Sequence, residues 1–591
     1  MKLKKTLLIA LSLLMCISFA ACATEIETPE SSDRVSESIS DTEPFDDYLP
    51  LYEGEVGAKV VYNPYADSDT LAIATKLVSS LKRMGIATHD DKAAVSTDDH
   101  ESIEILVADT GYSESDEAYA SLGYGEARAC VIGNKVVLVG FDKASLEKAV
   151  ETFLYAIKEC KDENGGLRIP RNYSETVVSN EKAANLPVLQ DGNFSSLNST
   201  GDNCYMLTIE KVEKSGAEKY LEEVVSAGYV LCAENTIENN IFKIYRKDDD
   251  ALTVIYLENL KTVRLLVEPI SNTELEIMNE DTSYVKGSYD VTITQLGLVY
   301  ESDEHIADYY TSGMSYVMRL DDGSFIVIDG GYEKQSDADR IYETMKKQAG
   351  GDNVTVAAWI FTHLHSDHVE VFLPFSKTYH DKVTIERFIY NKPGGDILGG
   401  HVDSHAYVST AIKTYYPNAK VIKAHAGNKY YLRSVEVEIL YTLDIGFSKL
   451  SNYNNSSLVF RINTEGKQLM MLGDYSESSP VLMKIYTEKT LKSDVVQVAH
   501  HGISDGNNPL NTTIGAEYAL WPVSGLQLKT YWESNPKNMD LTKHFFNNYF
   551  INMDQSKVFV AGNDVVVMTL AGDIAVTVYD NFDNYLANIP N

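Results

Sequence analysis

The stretch Phe361-Thr362-His363-Leu364-His365-Ser366-Asp367-His368-Val369-Glu370 constrains this chain more than any other. The apolar run before it, Val356 to Phe361, reads as a buried strand. A strand that stops in three imidazoles and a carboxylate is poorly explained by packing. Imidazole and carboxylate together suit zinc or manganese. In an extended loop His363 and His365 point to the same side, because side chains alternate with period two. Asp367 and His368 then follow a tight turn and face a second ion.

Two other apolar runs end in an aspartate: Phe325 to Ile328 before Asp329-Gly330-Gly331, and Leu469 to Leu472 before Gly473-Asp474. With the H-x-H-x-D-H stretch between them, they resemble the metallo-β-lactamase superfamily in the right order. The resemblance runs from about Thr294 to the last residue. It implies an α/β chain whose segment 294–591 is a four-layer αββα sandwich, the metallo-β-lactamase fold. Two small α/β or α+β domains precede it, over 51–180 and 200–290. The resemblance gives Asp474 the role of bridging two ions and Asp329 that of supporting the histidine loop, since metal-bound imidazoles need an acceptor behind them.

One segment departs from the family. Most members place a histidine just before the strand that leads to the bridging aspartate, where this chain reads Ser451-Asn452-Tyr453-Asn454-Asn455-Ser456-Ser457-Leu458-Val459-Phe460. That form resembles the branch containing the exported hydrolase domains of competence-type DNA-uptake proteins. His401, His405 and His425 are the available substitutes, although each reads first as a surface or rim histidine. The strand Asp494 to Ala499 ends in His500-His501-Gly502, which again is similar to that branch. His544 reads as a surface or core residue.

The ligand set that follows is His363 and His365 on a first ion, and Asp367, His368 and one of the His500/His501 pair on a second, with Asp474 between them. His500 is the favoured ligand of the pair. His501 then orients substrate or protonates a leaving oxygen. One or two zinc ions are expected, with manganese as the alternative. No cysteine lies beyond Cys232, so this half of the chain binds metal through nitrogen and oxygen alone. That argues against the superfamily's β-lactamases that use a cysteine ligand. A hydroxide held between two ions, its parent water brought toward a pKa of roughly 7, would be oriented by Asp367. The expected function is an exported, phosphodiesterase-like metal-dependent hydrolase. Hydrolysis of an amide, ester or lactam on the same site is one alternative. A surface-binding lipoprotein with a decayed metal domain is the other.

Composition limits the substrate. The formal net charge of −35 argues against a general nucleic-acid-binding surface, which is normally basic. A small-molecule or cell-wall-derived phosphodiester fits better, and Arg387, Lys392 and Lys423 are candidates for steering it. At 591 residues, three or four domains are expected.

Residues 1–22 form a targeting segment. Lys2, Lys4 and Lys5 precede an apolar stretch from Thr6 to Ile17 that is too short to span a membrane. It ends in Phe19-Ala20-Ala21-Cys22, which resembles a bacterial lipobox and implies an extracytoplasmic protein lipid-anchored to the cell membrane at Cys22. Residues 23–50 are acidic and polar and read as a disordered tether. In the front domains the clearest elements are a helix from Asp69 to Met84, a hairpin turning at Gly133-Asn134, and a helix from Ala217 to Ala227. Neither domain shows a ligand cluster. A Cys204–Cys232 bridge and two free thiols are both compatible with the sequence.

Overall fold

In the computed structural model, residues 47–53, 56–86, 90–92, 100–158, 160–161, 165–298, 313–394, 403–446, 452–476, 481–502, 508–522, 548–562 and 564–588 are described. The targeting segment, His401 and His544 lie outside them, as does the tether apart from its end. There a strand, Tyr48–Glu53, starts within the segment expected to be disordered. No helix among the described residues is long and apolar enough to cross a membrane.

β-Branched runs build the first sheet. Lys59–Tyr62, Glu104–Val107 and Lys135–Gly140 pair in parallel, and Glu126–Ile132 returns antiparallel through Gly133-Asn134. Gly133 takes a φ of 58°, as a two-residue hairpin turn requires. The helices Ser68–Arg83 and Lys143–Ala156 bury Leu77, Leu81, Val150 and Phe153 on one face of this sheet. Asp67 caps the first of them by accepting from Asp69 N and Thr70 N.

A six-stranded antiparallel sheet follows, spanning 193–269. One face carries Leu207, Val254 and Leu265 and is covered by Ala217, Tyr220 and Val224 of the helix Lys214–Ser226. Its other face, with Met206, Phe242, Ile255 and Leu266, joins the core of the C-terminal half. Burial on both faces explains why Asp250–Leu257 reads as a nearly unbroken apolar run rather than an alternating one. At Gly427 (φ 83°) an added Cβ would lie 2.0 Å from the Phe242 ring, so glycine permits this close approach. Cys204 and Cys232 are free thiols on strands that three others separate, too far apart for a disulfide.

The C-terminal half is the expected four-layer αββα sandwich. Nine strands form one sheet and seven the other. Between them lie Ile326, Ile328, Ala358 and Ile360 from the first sheet and Ile439, Phe460, Leu469 and Met471 from the second. The helices Gln335–Ala349 and Phe372–Tyr379 pack outside one sheet, with Leu482–Ile485 and Asn508–Ile514 outside the other. Phe325–Asp329 and Val354–Ile360 are parallel neighbours joined by the helix Gln335–Ala349. Gln468–Met471 and Val495–Gln497 are parallel neighbours in the facing sheet. All four strands finish at one end of the sandwich, and the loops that leave them carry the aspartates and histidines singled out above.

Candidate metal centre

The histidine loop is held from behind. Asp329 is fully buried at the end of its strand with φ 53°. Its Oδ1 accepts from Thr362 N at 2.7 Å, and its Oδ2 accepts from Thr362 Oγ1 at 2.7 Å and His368 Nδ1 at 2.6 Å. With Nδ1 committed as a donor, His368 Nε2 is turned to the centre, the tautomer a metal ligand needs.

Asp474 sits between two groups of donors. Its Oδ1 is 3.1 Å from His368 Nε2 and 3.6 Å from His501 Nε2, and Asp367 Oδ2 is 3.3 Å from His501 Nε2. Its Oδ2 is 3.7 Å from His363 Nε2, which lies 3.0 Å from His365 Nδ1. One carboxylate thus faces Asp367, His368 and His501 on one side and His363 and His365 on the other.

The turn that presents Asp474 has its own scaffold. Gly473 takes φ 54°, and an added Cβ would lie 2.9 Å from Thr362. The fully buried Gln497 accepts from Leu472 N at 2.8 Å and Gly473 N at 2.7 Å and donates to Gly473 O at 3.1 Å. No motif in the sequence marks this residue. Its only signal was a lone amide inside an apolar strand.

The His500/His501 pair is assigned the other way round from the sequence expectation. Both residues adopt left-handed backbone, with φ 48° and 50°. That conformation sends their side chains to different groups. His501 is buried, donates Nδ1–H to Pro522 O at 2.9 Å, and points Nε2 at Asp367 and Asp474. It therefore stands with Asp367, His368 and Asp474, where His500 was expected. His500 stands at the rim, 24% exposed, with Nε2 4.0 Å from Asp474 Oδ2 and accepting from Asn454 Nδ2 at 3.0 Å. It lies on the His363 side, beside the asparagine at which the sequence departs from the family.

The other sequence candidates fall elsewhere. His425 is buried, not at a rim, and donates to Glu268 and Asp444. Arg387 is buried and bonded to Glu274, Glu386 and Ala357 O, so it cannot steer substrate. His405, Lys392 and Lys423 line a cavity beside the centre.

The donor set fits divalent metal. Among the described residues, His368 Nε2, His501 Nε2 and Asp474 Oδ1 are buried with no hydrogen-bond partner, yet they converge on one point. Buried polar atoms are rarely left so. Positive charge is favoured there. Burial opposes it, but Asp474, Asp367 and Asp329 hold His368 well above the usual imidazole range. Burial, reinforced by His368, keeps His363 well below it, as a neutral ligand must be.

Residues 309–507 match the family model described as "Metallo-beta-lactamase superfamily". They form a metallo-β-lactamase superfamily domain. This is a metal-dependent hydrolase-type fold that binds metal ions, and its His/Asp groups could hold one here. No curated protein matches the chain. Among solved structures, a variant of CmlA β-hydroxylase matches at 10% identity over 48% of this chain and 54% of its own, with a TM-score of 0.27. CmlA from Streptomyces venezuelae, a diiron β-hydroxylase, matches at 12% identity over 53% and 70%, with a TM-score of 0.25. A flavo di-iron protein variant from Thermotoga maritima matches at 13% over 35% and 46%, with a TM-score of 0.19. The chain thus spans about half the length of the first of these.

Proposed function

We propose that this chain is an exported, lipid-anchored hydrolase that uses zinc, or alternatively manganese, to cleave a small or cell-wall-derived phosphodiester. The observation that carries the reading is Asp474, whose two oxygens face two separate imidazole groups. His363, His365 and Asp474 Oδ2 would hold one ion. Asp367, His368, His501 and Asp474 Oδ1 would hold the other. Divalent ions held there would polarise a phosphoryl oxygen and lower the pKa of water.

The protein's own part is positional. Asp329 and Pro522 O fix which nitrogen His368 and His501 present. Asp367 is 19% exposed, more open than its partners His368, Asp474 and His501, and is placed to orient incoming water. His500 stands at the rim, where it can hand a proton to a leaving oxygen. The all-nitrogen-and-oxygen donor set and the His-His-Gly segment favour phosphodiesters over lactams. Export and anchoring rest on residues 1–22.

The test is metal content by mass spectrometry together with turnover of bis-nitrophenyl phosphate, for the wild type and a His363→Ala/His365→Ala variant. About two ions per chain and measurable turnover, both lost in the variant, are expected. A wild type that binds no zinc or manganese when supplied with either would overturn the reading.

A further inference from the structure

The two sides of Asp474 are built differently. Asp367, His368 and His501 stand on one side, His363 and His365 on the other. With Asp474 shared, the first side offers four donors and the second three among the described residues. The first side also carries one more carboxylate, that of Asp367. Attraction for a divalent cation grows with each negative charge placed beside it.

The first side is fixed from behind. His368 donates Nδ1–H to Asp329 at 2.6 Å, and His501 donates Nδ1–H to Pro522 O at 2.9 Å. Asp329 is itself held by Thr362 N and Oγ1, each at 2.7 Å. Both imidazoles are buried, so neither can swing away, and Nε2 is the nitrogen each turns to Asp474. The second side lacks this support. His363 Nδ1 lies 3.3 Å from Thr362 Oγ1, a hydroxyl that already donates to Asp329. His365 is only half-buried, and no acceptor among the described residues stands behind its Nε2. His363 Nε2 and His365 Nδ1 are bonded to each other at 3.0 Å, and an ion that took both nitrogens would have to break that bond. The next imidazole on that side, His500, is 4.0 Å from Asp474 Oδ2, but its Nε2 accepts from Asn454 Nδ2 at 3.0 Å.

An acceptor behind a metal-bound imidazole is worth about 10–100-fold in affinity. Two strong acceptors on one side, against a single distant hydroxyl on the other, set the two affinities about 100-fold apart or more. We infer that the centre is unequal by construction: the group at Asp474 Oδ1 keeps a resident ion, and the His363/His365 group takes an exchangeable one from the surroundings. The supply of that second ion then sets turnover. The inequality stands on the donor geometry alone. Its link to turnover rests on the hydrolase reading above.

The chelator-stripped full chain is titrated with zinc in competition with a chromophoric chelator. Two binding steps are expected, with dissociation constants about 100-fold apart or more. Equal constants in the wild type overturn the inference, because the His363/His365 group would then be as complete as its neighbour. That comparison needs no variant. His365→Ala should abolish the weaker step and keep the tighter one, and His501→Ala should weaken the tighter one. Cobalt, whose visible absorption reports its ligands, checks the assignment. The spectrum of the first equivalent should be the same in the wild type and His365→Ala and altered in His501→Ala. A first-equivalent spectrum that changes in His365→Ala and not in His501→Ala overturns the inference. Turnover of bis-nitrophenyl phosphate, followed against free zinc, should rise as the weaker step fills. Turnover already complete at the first equivalent overturns the control by supply. Two unequal steps with no turnover at any zinc concentration would leave the inequality standing and sink the hydrolase reading, whereas equal steps with turnover would do the reverse.

Discussion

His425 ties the antiparallel sheet to the metal-binding half, and the strength of that tie should depend on pH. Its ring is fully buried between two carboxylates, donating Nε2–H to Glu268 at 2.6 Å and Nδ1–H to Asp444 at 2.7 Å. Asn272 donates to Glu268, and Asn391 and Thr442 donate to Asp444, so both carboxylates are held as anions. Burial alone would lower the imidazole pKa. Glu268 and Asp444 outweigh it and raise the pKa from 6.5 to about 9. A shift of that size is worth about 3 kcal/mol of stability. The folded-state pKa is the higher one. The stabilisation is therefore complete below about pH 6.5 and disappears as the pH rises through about 9. In His425→Gln two buried carboxylates lose their counter-charge, and the opening free energy of the strand Thr262–Pro269 should fall by roughly 3–5 kcal/mol at about pH 6. At about pH 9.5 most of that difference should have vanished, because the wild-type imidazole is then neutral as well. Hydrogen exchange of the Thr262–Pro269 amides, corrected for intrinsic rates, measures this directly. A difference between the two proteins that stays constant from about pH 6 to 9.5 would show that His425 does not act through its charge.

Four further outcomes are expected. Asp329→Asn should lower metal affinity by about 10–100-fold in chelator competition, because His368 loses the acceptor that fixes its tautomer. Gln497→Ala, which removes three buried hydrogen bonds at the Asp474 turn, should cost about 2–4 kcal/mol in denaturant unfolding and reduce the bound metal. His501→Ala should strip metal from the group at Asp474 Oδ1, whereas His500→Ala should retain it and lose turnover, as read by metal analysis beside bis-nitrophenyl phosphate kinetics. Removing metal from the wild type with a chelator should lower its melting temperature, since ions that bind only the folded state stabilise it by mass action.

The metal-binding half was legible from sequence because its strands are buried on both faces. Such strands read as unbroken apolar runs, and a polar residue at the end of one has few structural explanations. Val354–Ile360, Phe325–Asp329 and Gln468–Met471 all follow that pattern. The helix Lys214–Ser226 and the hairpin at Gly133-Asn134 were equally visible from periodicity and turn chemistry. What sequence could not show was the second buried face of the antiparallel sheet. Met206, Phe242 and Leu266 look like ordinary strand residues until the neighbouring sandwich supplies their partners. His425 was misjudged for the same reason, since Glu268 lies 157 positions away. Nothing local to either residue announces the pair.

The exchange of His500 and His501 has a different origin. Adjacent residues in an extended strand point to opposite faces, so one histidine was bound to face the centre and the other away. The structure escapes that choice by placing both in left-handed backbone, which costs of order 1–3 kcal/mol for each non-glycine residue. The surroundings hold the strain in place. His500 N donates to Gly473 O at 3.0 Å and Trp521 Nε1 donates to His501 O at 2.6 Å, while at Gly502 a Cβ would lie 2.3 Å from the Trp521 ring. Both imidazoles are thereby turned toward Asp474, one on each oxygen. His500 comes to stand beside Asn454, so the turn sends an imidazole to the side on which the family's usual histidine is missing. A strained turn that only closed a loop would be relieved without loss. A Gly502→Ala substitution, which must displace Trp521, should therefore cost metal affinity as well as stability. Stability lost with metal affinity intact would mean that the turn closes a loop and does not aim the pair.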